Sequence, residues 1–304
     1  MLLVAGSANL DFVVRAKHIP APGETVLGRQ FQTFPGGKGA NQAVACARAG
    51  GAATAMLCAL GDDDFAKPLL ASLATANVQL HTVRSPQPTG TAFVCVSDEG
   101  ENAITVVPGA NADLQPTHWP AHLHISHVLM QLETPVATVL AFAKAARAQG
   151  TKVLLNAAPA RELPAELLRN IDMLIVNEGE LAALAGIDPD KKAGKKDDVL
   201  AQLEHLAKLH HLHDVIVTLG AQGCLALHQG HVLHQKAYQV EVVDTTAAGD
   251  TFCGTLAAAL ARGAPIQQCL QEASAASALA CTKLGAQSSI PSREEVIALM
   301  KNAL

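Results

Sequence analysis

A lone carboxylate, Asp250, closes the small-residue stretch "TTAAGD" (245–250), between an apolar strand-like run ending at Asp244 and a helix rich in alanine and leucine. The entrance of such a helix leaves several backbone N–H groups unpaired around residues 247–250, and unpaired N–H groups attract anions. A carboxylate in the first turn also suits a plain helix cap, which stabilises by ~1 kcal/mol. Ala247, Ala248 and Gly249, however, leave room for a ligand to touch the backbone directly beside the acid. An anion hole next to a carboxylate base suits transfer of a phosphoryl group to an alcohol. The base accepts the proton, and the hole meets the charge on the phosphoryl oxygens.

Other segments offer polar groups of matching chemistry. In "GSANLD" (6–11) Asn9 and Asp11 follow the first apolar run and are spaced to point the same way, which suits hydroxyl groups as well as a self-bonded turn. "PGGKGANQAVACARAG" (35–50) is a glycine-rich loop entering an amphipathic helix. It has neither the G-x-x-x-x-G-K-[ST] nor the G-x-G-x-x-G spacing, yet its glycines admit a ligand beside Lys38 and Asn41 or simply form the loop. "VNEGE" (176–180) supplies Asn177 and Glu180, oxygen ligands fit for a hydrated Mg²⁺. "TLGAQG" (218–223) ends an apolar run with Thr218, Gly220 and Gly223, a turn where a nucleotide's phosphates would lie.

The elements that must position these groups follow from hydrophobic periodicity. Short apolar runs at 2–6, 54–60, 153–157, 173–177 and 214–220 alternate with segments of helical spacing, which predicts parallel βαβ units. The expected fold is a three-layer α/β/α Rossmann-like arrangement with its site at the strands' carboxyl ends. Residues 12–34 and 91–107 break the pattern and predict a small separate β-sheet, a lid over the main one, within a single domain spanning 1–304.

The 304 residues carry 49% hydrophobic and 16% charged side chains, a globular composition. A net charge of −5 with scattered lysines argues against nucleic acid. "DPDKKAGKKDD" (188–198) mixes both signs and reads as a solvated loop and helix start. Seven cysteines, with no C-x-x-C pair, predict buried reduced thiols; with no leader and no long apolar window, they predict a cytoplasmic protein away from membranes. The thirteen histidines lack metal-site partners and read as surface or strand-end residues; Trp119 reads as packing.

Taken in order, these segments, together with "GDDDF" (61–65), "GENAITVVPGAN" (100–111), "MQLETP" (130–135), "NAAPARELP" (156–164) and "TKLGAQSSIP" (282–291), resemble the ribokinase family of sugar and nucleoside kinases over nearly the whole chain. The resemblance implies ATP-dependent phosphorylation of D-ribose at its 5-hydroxyl, by a homodimer paired through the lid. It implies Asp250 as catalytic base and Ala247 to Gly249 as anion hole, with sugar held by Asn9, Asp11, Gly37, Lys38, Asn41 and Glu133. Nucleotide contacts carry over to Asn177, the turn Thr218, Leu219, Gly220, Ala221, Gln222 and Gly223, and Gly249, while Glu180 would organise Mg²⁺ through water. A monovalent cation, K⁺, would be held by Asp244 and Ser289 with backbone oxygens of Thr246, Ala280, Lys283 and Gly285.

Two positions depart from the family's pattern. Alanine at 247 stands where glycine is common, so the backbone there is expected to avoid positive φ, and Ser274 stands where a histidine can lie near the adenine. The alternatives are a kinase for 2-deoxyribose or another pentose, and a sugar-binding sensor that kept the fold without catalysis.

Overall fold

The computed structural model describes residues 1–186 and 196–302; most of the mixed-charge stretch 188–198 lies outside them. The chain opens with β1 (Leu2–Ala5), β2 (Asn9–Arg15), β3 (Gln30–Gly36), α1 (Lys38–Arg48), β4 (Thr54–Gly61), α2 (Ala66–Thr75), β5 (Gln79–Ser85), β6 (Gly90–Val96), β7 (Asn102–Val107) and β8 (His127–Met130). It continues with α3 (Val136–Ala148), β9 (Lys152–Asn156), α4 (Ala165–Leu168), β10 (Met173–Asn177), α5 (Glu178–Leu184), α6 (Lys196–His210) and β11 (Asp214–Thr218). The hairpin β12 (Cys224–His228) and β13 (His231–Gln235) precedes α7 (Ala248–Ala261), α8 (Ile266–Ala280) and α9 (Arg293–Asn302).

The main sheet runs β13-β12-β11-β10-β9-β8-β1-β4-β5, parallel except at β12 and β13. Its central strands are apolar in their middles because both faces are covered, with polar residues only at strand ends. Leu2 and Val4 of β1 pack with Val44, Leu69, Phe252 and Leu270 from α1, α2, α7 and α8. Leu3 and Ala5 point the other way, to Phe142, Leu167, Leu181 and Leu203 from α3, α4, α5 and α6. This is the three-layer arrangement expected from the periodicity. The chain leaves β1 first toward β4 and later, through β8, to the opposite side, so a crevice opens at the carboxyl ends of β1 and β8.

The small sheet has the order β3-β2-β6-β7, with β2 and β6 parallel and both outer pairs antiparallel. It begins at Asn9, earlier than the sequence suggests. Asn9 and Asp11 therefore lie on a strand of the small sheet instead of the end of β1, and alternation along β2 puts them on one face.

Both faces of this sheet are apolar: Phe12 stacks on Phe93 and Phe31 on one, while Ala92 and Val106 share the face of Asp11. Phe31, Phe93, Ile104, Val106 and Val107 are exposed.

One close approach ties the layers to the site. Gly254 of α7 lies against α1 so tightly that a Cβ there would meet the Gln42 carbonyl oxygen at 2.5 Å and the Ala45 Cβ at 2.6 Å. Gly254→Ala is expected to force the helices apart and lower stability by ~1–3 kcal/mol, with turnover at the site beside this contact falling more than the fraction unfolded explains. Urea unfolding and activity on one preparation check this; a variant of unchanged midpoint and turnover would refute it.

Candidate active site

The functional side chains converge where α1 and α7 meet the carboxyl ends of β1, β8, β9, β10 and β11. A cavity of about 240 Å³ is lined by Lys38, Asn156, Asn177, Glu180, Thr218, Thr245, Ala247, Gly249, Asp250 and Cys253, among others. Asp250 itself is only 8% exposed. Its Oδ2 accepts from Asn41 Nδ2 and its Oδ1 from Gln42 Nε2, both at 2.9 Å. Two neutral amides from adjacent residues of α1 thus hold the carboxylate without neutralising it.

At the start of α7 the Ala248 amide is bonded to the Thr245 carbonyl at 3.2 Å, whereas no protein acceptor meets the amides of Ala247, Gly249 and Asp250 among the described residues. The helix behind them is buried from Asp250 to Ala259 and Ser277 Oγ clasps the Ala248 carbonyl at 3.0 Å, so this row of donors is rigidly backed.

Ala247 adopts φ 58°, ψ 11°, the left-handed region. The expectation that alanine would avoid positive φ there is overturned. The turn into α7 demands that conformation, and alanine accepts it at ~1–2 kcal/mol, a strain that surrounding contacts must hold. Asp244 provides them. Its Oδ1 accepts from the Thr246 amide (2.9 Å) and hydroxyl (2.6 Å), and its Oδ2 from the Gly285 amide (2.9 Å).

The expected sugar residues gather on the other side of Lys38. Glu133 Oε2 accepts from the Lys38 amide at 3.0 Å and from Ser7 Oγ at 2.6 Å. Asn9 Oδ1 accepts from Asn111 Nδ2 at 2.7 Å. Gly37, φ 87°, has no room for a Cβ, which would lie 2.6 Å from the Asn9 amide nitrogen.

Asp11 is drawn up to about 7, first by withdrawal from water and then by the nearby Glu133 and Asp250. Lys38 is raised chiefly by Asp250, against the opposing effect of burial, with Glu133 and Glu180 adding to it. One cation thus faces several acids. Asn41 Oδ1 is buried with no partner among the described residues, an acceptor left for a ligand hydroxyl.

Of the expected nucleotide residues, Asn177 caps α5: its Oδ1 accepts from the Glu180 amide at 2.8 Å, and Glu180 Oε2 accepts from the Asn177 amide at 2.9 Å. Burial raises Glu180. Leu219 is buried, Gly220, Ala221 and Gln222 form an exposed turn, and Gly223 lies beyond it with a backbone at φ 94°.

Ser274 does not line the cavity; it is buried on α8 beside the Cys224 thiol. Lys283, Gly285 and the fully buried Ser289 share the loop joined to Asp244, with Ala280 ending α8 just before it, and Ser289 Oγ donates to the Ala286 carbonyl at 2.8 Å.

Three residues at this site escape sequence reasoning: Gln42, Gln131 and Asn156, an amide chain behind Asp250. They lie in segments that carry the family resemblance, but no role attaches to them there, and locally they show only as polar residues in segments otherwise bound for the core. Among the described residues, no group of three or more His, Cys, Asp or Glu side chains is assembled that could hold a metal ion unaided.

Comparison with known proteins places the whole chain. The family model of the pfkB family carbohydrate kinases matches residues 1–293. A ribokinase of Haemophilus influenzae is 38% identical, with 99% of each chain covered. The structure of Thermotoga maritima ribokinase superposes with a TM-score of 0.90 at 36% identity, covering 99% of each chain. That of Arabidopsis thaliana ribokinase complexed with ribose and ATP does so at 0.86 and 33% identity, covering 99% of this chain and 98% of the other. Matched by the family model over nearly its full length and 38% identical to such a relative, with a carboxylate held by two amides beside a row of amides that no described residue accepts from, this chain belongs to the pfkB family of carbohydrate kinases.

Proposed function

We propose that this carbohydrate kinase transfers the γ-phosphoryl group of ATP to the 5-hydroxyl of D-ribose, with Asp250 as general base. The observation that carries the reading is that one cavity joins Lys38 and Asp250, next to the sugar-side residues, to Asn177, Thr218 and Gly249, next to the exposed turn 220–222. The ribose and ATP of the Arabidopsis complex support the choice of both substrates.

In this reading Asp11, Asn9, Glu133 and the Asn41 carbonyl hold the sugar's hydroxyls. The Asp250 carboxylate takes the proton as the 5-oxygen bonds to the γ-phosphorus. The bond to the bridging oxygen breaks, ADP leaves, and the free amides at 247, 249 and 250 meet charge on the transferring oxygens. Lys38 adds a positive charge between the two halves of the site.

Glu180 is a desolvated oxygen donor on the cavity wall and fits a hydrated Mg²⁺, which would neutralise ATP's phosphates. The carboxylate of Asp244 with the carbonyls of its joined loops is an oxygen donor set that fits K⁺, which would strengthen the field of the anion hole. The exposed apolar faces of the small sheet suit a lid through which two copies pair. Seven free thiols and no described helix long and apolar enough to cross a membrane suit a cytoplasmic enzyme.

Asp250→Asn is expected to cut kcat by ~10²–10⁴ while the Kd for ribose stays within a few fold; ADP-release kinetics and calorimetry measure the two. Preserved turnover would reverse the assignment, and no ADP release by the native protein with any pentose would favour the sensor.

The raised Asp11 predicts a pH effect on binding. Its carboxylate must be ionised to accept two sugar hydroxyls, so the Kd for ribose should fall about tenfold from pH 6 to 8 and level off above. Asp11→Asn should flatten this profile, and a flat native profile would contradict it. Replacing KCl by tetramethylammonium chloride at equal ionic strength should lower kcat with little change in ribose Kd; unchanged kcat would remove the cation from the account.

A further inference from the structure

Gln42 lies on α1 with no exposed surface, next to a base it was not expected to touch. Its Nε2 donates to Asp250 Oδ1 at 2.9 Å and to Asn156 Oδ1 at 3.0 Å, and its Oε1 accepts from Gln131 Nε2 at 2.5 Å. Asn156 in turn donates to the Ile175 carbonyl at 3.2 Å, which ties the chain to β10. Gln131, 1% exposed, follows β8 directly.

The direction of this chain follows from charge. An amide has a donor end and an acceptor end, and an ionised carboxylate only accepts. Gln42 must therefore turn its NH₂ to Asp250, its oxygen is left facing Gln131, and Gln131 must turn its own NH₂ toward Gln42. The last oxygen, Gln131 Oε1, ends buried without a partner among the described residues, packed on Gly6, where a Cβ would lie 1.9 Å away. A buried acceptor left unsatisfied at the far end is an arrangement that structure alone does not favour. It keeps the Gln42 NH₂ aimed at the base.

We propose that Gln42 is a positioning residue for phosphoryl transfer, fixing the Asp250 carboxylate from behind, and that Gln131, acting through Gln42, sets which end of that amide the base meets. The proposal rests on Asp250 being the base. With Asn41 on Oδ2 and Gln42 on Oδ1, both oxygens are anchored to one helix, so the carboxylate cannot swing away from an incoming hydroxyl. A lysine or arginine in this place would orient the acid and quench it; an amide orients it alone. The charged and titratable groups around Asp250, namely Lys38, Asp11, Glu133, Glu180 and Cys253, are left intact by changes at 42 and 131.

Kinetics of Gln42→Met, Gln131→Met and Gln131→Glu, run beside Asp250→Asn with ribose calorimetry and thermal melts, test this. Gln42→Met is expected to lower the plateau kcat about 10–100-fold with KM for both substrates within about threefold. Having lost a donor to its ionised form, the base should also titrate higher, moving the acid limb of kcat up by about one pH unit.

Gln131→Glu presents a carboxylate that competes for the Gln42 NH₂. It should shift that limb further than Gln131→Met, although neither alters a group bonded to Asp250. A folded Gln42→Met with an unmoved acid limb, or one that raises KM at native kcat, overturns the proposal. Should Gln42→Met not fold, equal limbs for the two Gln131 variants overturn it. Native turnover by Asp250→Asn instead sinks the base assignment itself, a result separable from either of these.

Discussion

The site depends on how closely α1 and α7 approach. Asn41 and Gln42 project from one helix and Asp250 from the other, and their hydrogen bonds at 2.9 Å exist only because Gly254 lets the two backbones come within reach. Side-chain amides are short, so an outward shift of an ångström would replace both bonds with water or with nothing. The packing of the layer and the orientation of the acid are therefore one constraint. Dense helix contacts transmit it without slack.

Charge distribution follows from the same convergence. Lys38 begins α1, Asp250 lies in the first turn of α7, Glu133 follows β8, Glu180 opens α5, and Asp11 comes from the small sheet. Five elements deliver four acids and one cation to a common crevice, so neighbouring acids add to the burial that disfavours ionisation of Asp11 and Glu180. The cost falls most on Asp11, which is drawn up to about 7 by lost solvation and by Glu133 and Asp250. A hydroxyl-rich ligand that donates hydrogen bonds relieves that burden without adding charge, and a cation beside Glu180 relieves it from the nucleotide side.

Much of this was legible in the sequence. Runs such as "VLLNA" and "MLIVN" are apolar up to the asparagine near their carboxyl ends because their strands are covered on both faces, and that signal does not depend on context. The short strand His127–Met130 and the antiparallel edge after Thr218 were not marked out: four residues give little periodicity, and pairing direction leaves no trace in composition. Asn9 and Asp11 were found as a pair but attributed to the main sheet, since nothing local distinguishes the end of one strand from the start of the next. Gln42 was invisible for another reason. A glutamine among alanines on a helix looks like its solvated side until the partner helix, more than two hundred residues away, is in place.

Ala247 shows the limit of arguing from residue preference. Alanine avoids positive φ in isolation by ~1–2 kcal/mol, yet here it takes φ 58° because the ends of the turn are fixed on both sides. Asp244 gathers Thr246 and Gly285 before it, and α7 is locked by Gly254 and by Ser277 after it. A loop whose ends are held has little freedom to choose its middle, so the local penalty is outweighed by the contacts that both ends would forfeit. What that conformation gains is a turn ending in backbone N–H groups that no acceptor among the described residues satisfies, directly beside an acid that two amides hold still.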